Sequence, residues 1–184
     1  MSRATVMAAG LLALLLALPV QGQQWVGERL CPPRLPSGAE FGSAVAVGDD
    51  GTIAVGDYRH DVVYLHRNTA GPCEWSTIPS PDRGAWFGFA LAIDGDRLLV
   101  GAPKPGGTGA VYLVNLGTGG VVPVSVPGSR PGDEVGSAVA MDGTTLAIGA
   151  RGTDERRGRV YFGSIGSFKV VPVEGLAPNA ELGQ

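Results

Sequence analysis

The stretch Ala39-Glu40-Phe41-Gly42-Ser43-Ala44-Val45-Ala46-Val47 decides the reading, because it comes back. It returns as Ala85-Trp86-Phe87-Gly88-Phe89-Ala90-Leu91-Ala92-Ile93 and again as Asp133-Glu134-Val135-Gly136-Ser137-Ala138-Val139-Ala140-Met141. A fourth start, Ala180-Glu181-Leu182-Gly183, stands at the end of the sequence. The shared glycines fall at 42, 88, 136 and 183, a period of 46 to 48 residues. Self-similarity at such a period marks an array of like structural units.

Each start leads into three further runs. The second is Thr52-Ile53-Ala54-Val55-Gly56-Asp57, then Leu98-Leu99-Val100-Gly101-Ala102-Pro103, then Leu146-Ala147-Ile148-Gly149-Ala150. The third carries an aromatic: Tyr64, Tyr112 and Tyr161, each after a valine. The fourth is less regular: Trp75–Ile78, Val121–Val124 and residues 168–173. Asp50-Gly51, Asp94-Gly95 and Asp142-Gly143 separate the first two runs, and Asp-Gly suits tight hairpins. Four short β-rich runs in about 47 residues is the pattern of a β-propeller blade. The alanines of the first run, such as Ala44, Ala46, Ala90 and Ala92, suit innermost strands that crowd toward an axis. The predicted fold is all-β, with three four-stranded antiparallel blades at roughly 39–80, 85–128 and 133–175. That is an incomplete propeller, since rings close with about four to eight blades. A fragment of a longer protein, or self-association to complete a ring, would account for the unclosed array.

Composition agrees. Thirty glycines and 14 prolines among 184 residues fit a chain of many turns, and 44% apolar with 17% charged residues is not the balance of a disordered chain. Residues 1–22 read as a cleavable signal peptide: Arg3, an apolar stretch Met7–Leu18, and Val20-Gln21-Gly22 before the cut. That stretch is too short to span a membrane. Export to the cell surface, the periplasm or the medium follows. The formal charge is −3, one unit more acidic once Arg3 is removed. No basic patch of the kind nucleic-acid binding needs is present.

These residues resemble the FG-GAP repeat, the blade unit of integrin α-chain propellers and of many secreted bacterial proteins. The FG element stands as Phe41-Gly42 and Phe87-Gly88, and weakly as Val135-Gly136. The GAP element is complete only as Gly101-Ala102-Pro103, persists as Gly149-Ala150 and degrades to Gly56-Asp57. Many blades of that family resemble EF-hand calcium loops between their first two strands. Here the connections offer Asp49 and Asp50, then Asp94 and Asp96, then Asp142, without the D-x-D-x-D-G-x-x-D spacing or the six to eight oxygens calcium takes. Asp serving turn geometry is the better account.

Other chemistry is thin. His60 lies among Asp57, Tyr58 and Asp61, but His66 is not placed to join it, and zinc sites usually need three or four ligands. Ser43 and Ser137 follow repeat glycines, and no G-x-S-x-G is present. The cluster Asp154-Glu155-Arg156-Arg157 reads as a solvated loop, and its counterpart Lys104–Gly109 has different chemistry. No catalytic, cofactor or metal residue is assigned. Residues 24–30 resemble the run at Glu74-Trp75 and read as an isolated outer strand. Secretion favours a Cys31–Cys73 bond, whereas placement at opposite ends of neighbouring outer strands opposes it; the pairing stays open. The function expected is a secreted, non-enzymatic binding or adhesion module for an extracellular protein or glycan. The alternatives are the propeller portion of a secreted hydrolase whose catalytic part lies elsewhere, or a structural surface protein.

Overall fold

A computed structural model describes residues 30–165 and 167–171. The signal segment 1–22, residues 24–29 of the expected outer strand and the fourth repeat start at 180–184 lie outside the described residues.

Three sheets of four antiparallel strands follow one another along the chain. The first blade is β1 (Val45–Val47), β2 (Ile53–Asp57), β3 (Val62–His66) and β4 (Ser76–Pro79). The second is β5 (Ala90–Asp94), β6 (Arg97–Ala102), β7 (Ala110–Asn115) and β8 (Val121–Val124). The third is β9 (Val135–Asp142), β10 (Thr145–Ala150), β11 (Arg159–Ser164) and β12 (Ser167–Val171), with a single helical turn α1 (Thr153–Arg156) before β11. Each strand pairs with the next in sequence, which keeps every connection local. The two Asp-Gly turns at 94–95 and 142–143 close two-residue hairpins, pairing Asp94 with Arg97 and Asp142 with Thr145. The blades form an open arc, with β5 against the first blade and β9 against the second.

Two seams hold the arc together. Each is built from alternate residues of facing sheets, because successive side chains of a strand point to opposite faces. In the first, Val63, Leu65 and Ile78 meet Phe87, Leu98 and Val100 in one buried cluster. In the second, Leu99, Val111 and Val124 meet Leu146, Ile148 and Tyr161. The aromatic of each third strand holds the residue before the repeat glycine. Phe41 lies edge-on to Tyr64 at 5.3 Å and Phe87 to Tyr112 at 5.6 Å. Val135 shares the second cluster with Tyr161.

The FG glycines are equivalent in backbone as well as in phase: φ is +96° at Gly42, +90° at Gly88 and +91° at Gly136. Only glycine takes that conformation without steric cost. At the seams they also meet the GAP glycines of the preceding blade. A Cβ on Gly56 would sit 2.0 Å from the Gly88 carbonyl oxygen, and one on Gly101 would sit 2.1 Å from that of Gly136. Backbone therefore touches backbone across each seam, and no larger residue fits.

Cys31 and Cys73 form a disulfide with 4.6 Å between their Cα atoms, against the strand-end argument that set them apart. That argument assumed that the N-terminal segment runs along an outer edge and passes Cys73 at its far end. Instead the Cys31 amide donates to the Pro72 carbonyl at 2.9 Å, and the Trp75 indole donates to the Cys31 carbonyl at 2.7 Å. Both contacts bring Cys31 to the turn that carries Cys73.

Candidate functional site

The strand registers gather one set of connections at one end of the arc. Val45 opposes Val55, so the Phe41-Gly42 start lies beside Gly56 at the exit of β2. Val62 opposes Pro79, which brings the segment after β4 to the same end. Starts of inner strands, β2–β3-type loops and blade-to-blade connections all meet there.

Two residues flank each repeat glycine pair at this end, and their chemistry differs by blade. In the first and third blades they are Glu and Ser. Glu40 forms an ion pair with Arg59 at 2.9 Å, and Glu134 with Arg151 at 2.8 Å. Ser43 Oγ donates to the Gly56 carbonyl at 3.1 Å, and Ser137 Oγ accepts from the Arg151 amide at 3.2 Å. The second blade has Trp86 and Phe89 instead. Their rings stack at 5.8 Å and 16°, and Tyr58 of the first blade closes on both, at 5.0 Å and 5.5 Å. On the far side the Arg151 guanidinium lies 5.3 Å from the Phe89 ring centre.

The result is one row across three blades: Tyr58, Trp86, Phe89, then the Arg151–Glu134 pair. All three rings remain partly exposed. Trp86 takes φ +60°, as its counterpart Glu134 takes +52°. A left-handed backbone costs a non-glycine residue about 1–2 kcal/mol. The second and third blades share that conformation, and the second fills it with the largest side chain available. Exposed aromatic faces flanked by a cation and a carboxylate can stack on a flat apolar surface, worth about 0.5–1.5 kcal/mol per pair, while the rim offers hydrogen bonds.

The residues singled out from sequence have structural partners. His60 Nδ1 lies 2.9 Å from Asp57 Oδ2, and the buried Asp57 also accepts the Glu40 amide at 2.9 Å. Asp61 accepts from the Gly84 and Phe87 amides, fastening the first blade to the start of the second. His66 turns away, to the Glu74 carbonyl at 3.1 Å and the Trp75 ring. Asp50 accepts from the Thr52 amide and then its hydroxyl, which holds its carboxyl below the usual range. Asp94 pairs with Arg97 at 2.8 Å, and Asp96 accepts from Asn115. Among the described residues no three His, Cys, Asp or Glu side chains gather to hold a metal ion. Thr153 starts the short helical turn where the sequence reads as a solvated loop, its hydroxyl bound to the Ala150 carbonyl at 2.7 Å. Lys104–Gly109 borders a hollow of about 350 Å³ with Asp82, Tyr112 and Pro131. There Tyr112 donates to Asp82 at 2.7 Å; burial first, and that bond second, push its phenol well above the ordinary value.

Reading the motifs one by one misses the aromatic row. Its signal is visible only when the repeats are aligned: Glu-Phe-Gly-Ser and Glu-Val-Gly-Ser bracket Trp-Phe-Gly-Phe.

The FG-GAP repeat family matches residues 81–114 and 128–162, the second and third blades. The second and third blades are FG-GAP repeats. No curated protein matches it in sequence. Among solved structures, virginiamycin B lyase from Staphylococcus aureus superposes with a TM-score of 0.56 at 11% identity, over 72% of this chain and 41% of that one. A catalytically inactive form of that lyase with quinupristin gives 0.57 at 12%, over 74% and 42%. The GH74 xyloglucanase from Xanthomonas campestris gives 0.49 at 16%, over 68% and 19%. The likeness to the lyase, at this identity, is one of fold: FG-GAP blades stacked as in a β-propeller. The chain spans about two fifths of the lyase's length.

Proposed function

We propose that this FG-GAP protein is a secreted, non-enzymatic module that binds an extracellular protein or glycan on the loop end of its blades. The row Tyr58–Trp86–Phe89, continued by Arg151 and Glu134, carries the reading. Loops on a rigid repeat scaffold are where such proteins place their contacts, and partly exposed aromatics with an arginine are the usual anchors of a binding surface. Three polar side chains at this end are engaged in the scaffold: His60 with Asp57, Ser43 with Gly56, Ser137 with Arg151. That supports binding over catalysis. The signal-like composition of residues 1–22 supports export.

The test is capture of the exported protein on arrays of immobilised glycans and extracellular matrix proteins, beside the variant Trp86→Ala/Phe89→Ala. Loss of two stacking contacts is expected to weaken binding about tenfold to a hundredfold in a variant that stays folded at the assay temperature, although the lost contacts to Tyr58 and Arg151 lower its melting temperature. Equal binding by both proteins would remove the aromatic row from the reading. Turnover of the captured ligand would replace the binding module with a hydrolase.

A further inference from the structure

We propose that the hollow beside the turn Lys104–Gly109, bordered also by Asp82 and Tyr112, holds one sugar unit of an extracellular glycan. The site deepens the binding reading above and rests on it, at residues apart from the aromatic row. Its volume of about 350 Å³ is at the small end of ligand pockets. The repeat builds the same hollow twice. Arg130, Asp133 and Gly152 border the second, each one repeat after Asp82, Ala85 and Lys104 of the first. Arg159 opposes Ala150 there as Ala110 opposes Ala102 here. The place is common to two blades and the lining is not. An acid, a base and the hydroxyls of Thr108 and Tyr112 line the first, whereas Arg130 and Arg159 border the second.

The walls of the first hollow are held by the scaffold. The Lys104 amide donates to the Ala85 carbonyl at 3.0 Å. From the connection into the third blade, the Gly132 amide donates to the Gly107 carbonyl and the Val135 amide to the Thr108 carbonyl, both at 2.9 Å. A Cβ on Gly107 would lie 2.9 Å from Lys104 Cγ, so the lysine stem crosses bare backbone. Tyr112 is buried, and its hydroxyl fixes Asp82 through Oδ2 at 2.7 Å. Buried Ala85 and Ala102, with Pro131, supply the apolar part. A site ordered in advance loses little entropy when a ligand enters.

The lining selects the ligand. Asp82 and Lys104 are exposed at the rim, where water and salt screen their attraction for an ionic ligand. As hydrogen-bonding groups they are worth more. A carboxylate accepting from a hydroxyl, or an ammonium donating to one, makes about twice the bond of a neutral pair. Thr108 adds a hydroxyl that both donates and accepts. A saccharide uses all of these at once: neutral hydroxyls for the rim, and C–H faces for the alanines and Pro131. The hollow also adjoins the aromatic row. Ala85 precedes Trp86, and the Gly106 amide donates to Glu134 Oε1 at 3.3 Å.

The test is an NMR titration of the isotope-labelled chain with glucose, galactose, mannose, N-acetylglucosamine, lactose and cellobiose, followed at the backbone amides. For at least one sugar, shifts centred on Lys104–Ala110 are expected, with a dissociation constant on the order of a millimolar. Asp82→Asn keeps an oxygen for Tyr112, and Thr108→Val keeps the side-chain shape. Each should weaken that sugar about threefold to tenfold. Arg130→Ala, in the second hollow, should leave the affinity as it is. No shifts from any sugar at about a hundred millimolar would overturn the site. So would full affinity in both Asp82→Asn and Thr108→Val. Shifts confined to Tyr58, Trp86 and Phe89 would overturn the hollow while the aromatic row stands. Free glycine, run beside the sugars, should bind more weakly; tighter binding by that zwitterion would overturn the saccharide assignment.

Discussion

The inner strands of the first and third blades, β1 and β9, share a sequence pattern and differ in cover. β9 runs for eight residues, its start buried and Val139 and Met141 packed against the second blade. β1 keeps three residues, with Val45 and Val47 turned to solvent. What separates them is the neighbour: a blade buries its faces only by stacking on another. The first blade covers the rest of that side by other means. Phe41 and Trp75 lie against Tyr64 and His66, and the Cys31–Cys73 bond fastens the segment that leads to Phe41. An aromatic patch and a covalent tie stand where the other blades have a seam.

The largest effect should come from breaking a closed seam. Gly101→Ala puts a Cβ 2.1 Å from the Gly136 carbonyl, and backbone cannot step aside as a side chain can. A loss of more than about 4 kcal/mol in urea unfolding is expected. Gly42→Ala, at the open end, meets no neighbour and suffers only its φ of +96°, about 1–2 kcal/mol. Equal losses would mean that the seam is not what holds Gly101.

Removal of the disulfide comes next. Cys31→Ser/Cys73→Ser opens a loop spanning a sequence separation of 42 and should cost about 2–4 kcal/mol. Amide hydrogen exchange should show the loss concentrated in β3 and β4 rather than in β9 and β10, because the tie serves the first blade alone. A uniform loss of protection would contradict that division.

The smallest effect compares the two seams through their tyrosines. Tyr112→Phe forfeits the bond to Asp82 and should cost about 1 kcal/mol. Tyr161 is fully buried and its hydroxyl has no partner among the described residues. Tyr161→Phe should be neutral or slightly stabilising in thermal melts. A larger loss at Tyr161 than at Tyr112 would reverse the ranking of the two seams.

The repeat, its four strands and the equivalence of Gly42, Gly88 and Gly136 were legible in the chain. Those follow from local physics: side-chain alternation along a strand, turn chemistry at Asp-Gly, and a backbone conformation that excludes a Cβ. It could not decide the Cys31–Cys73 bond, because strand ends do not say which way a non-repeating segment approaches. The approach is set by the packed fold, through the Cys31 amide on Pro72 and the Trp75 indole on the Cys31 carbonyl. Nor could single motifs reveal the row from Tyr58 to Arg151, whose members come from three blades and meet only when those blades stack. The open faces are tertiary as well. Val45 and Leu91 read alike in the chain, and the presence of a neighbouring sheet alone makes one surface and the other core.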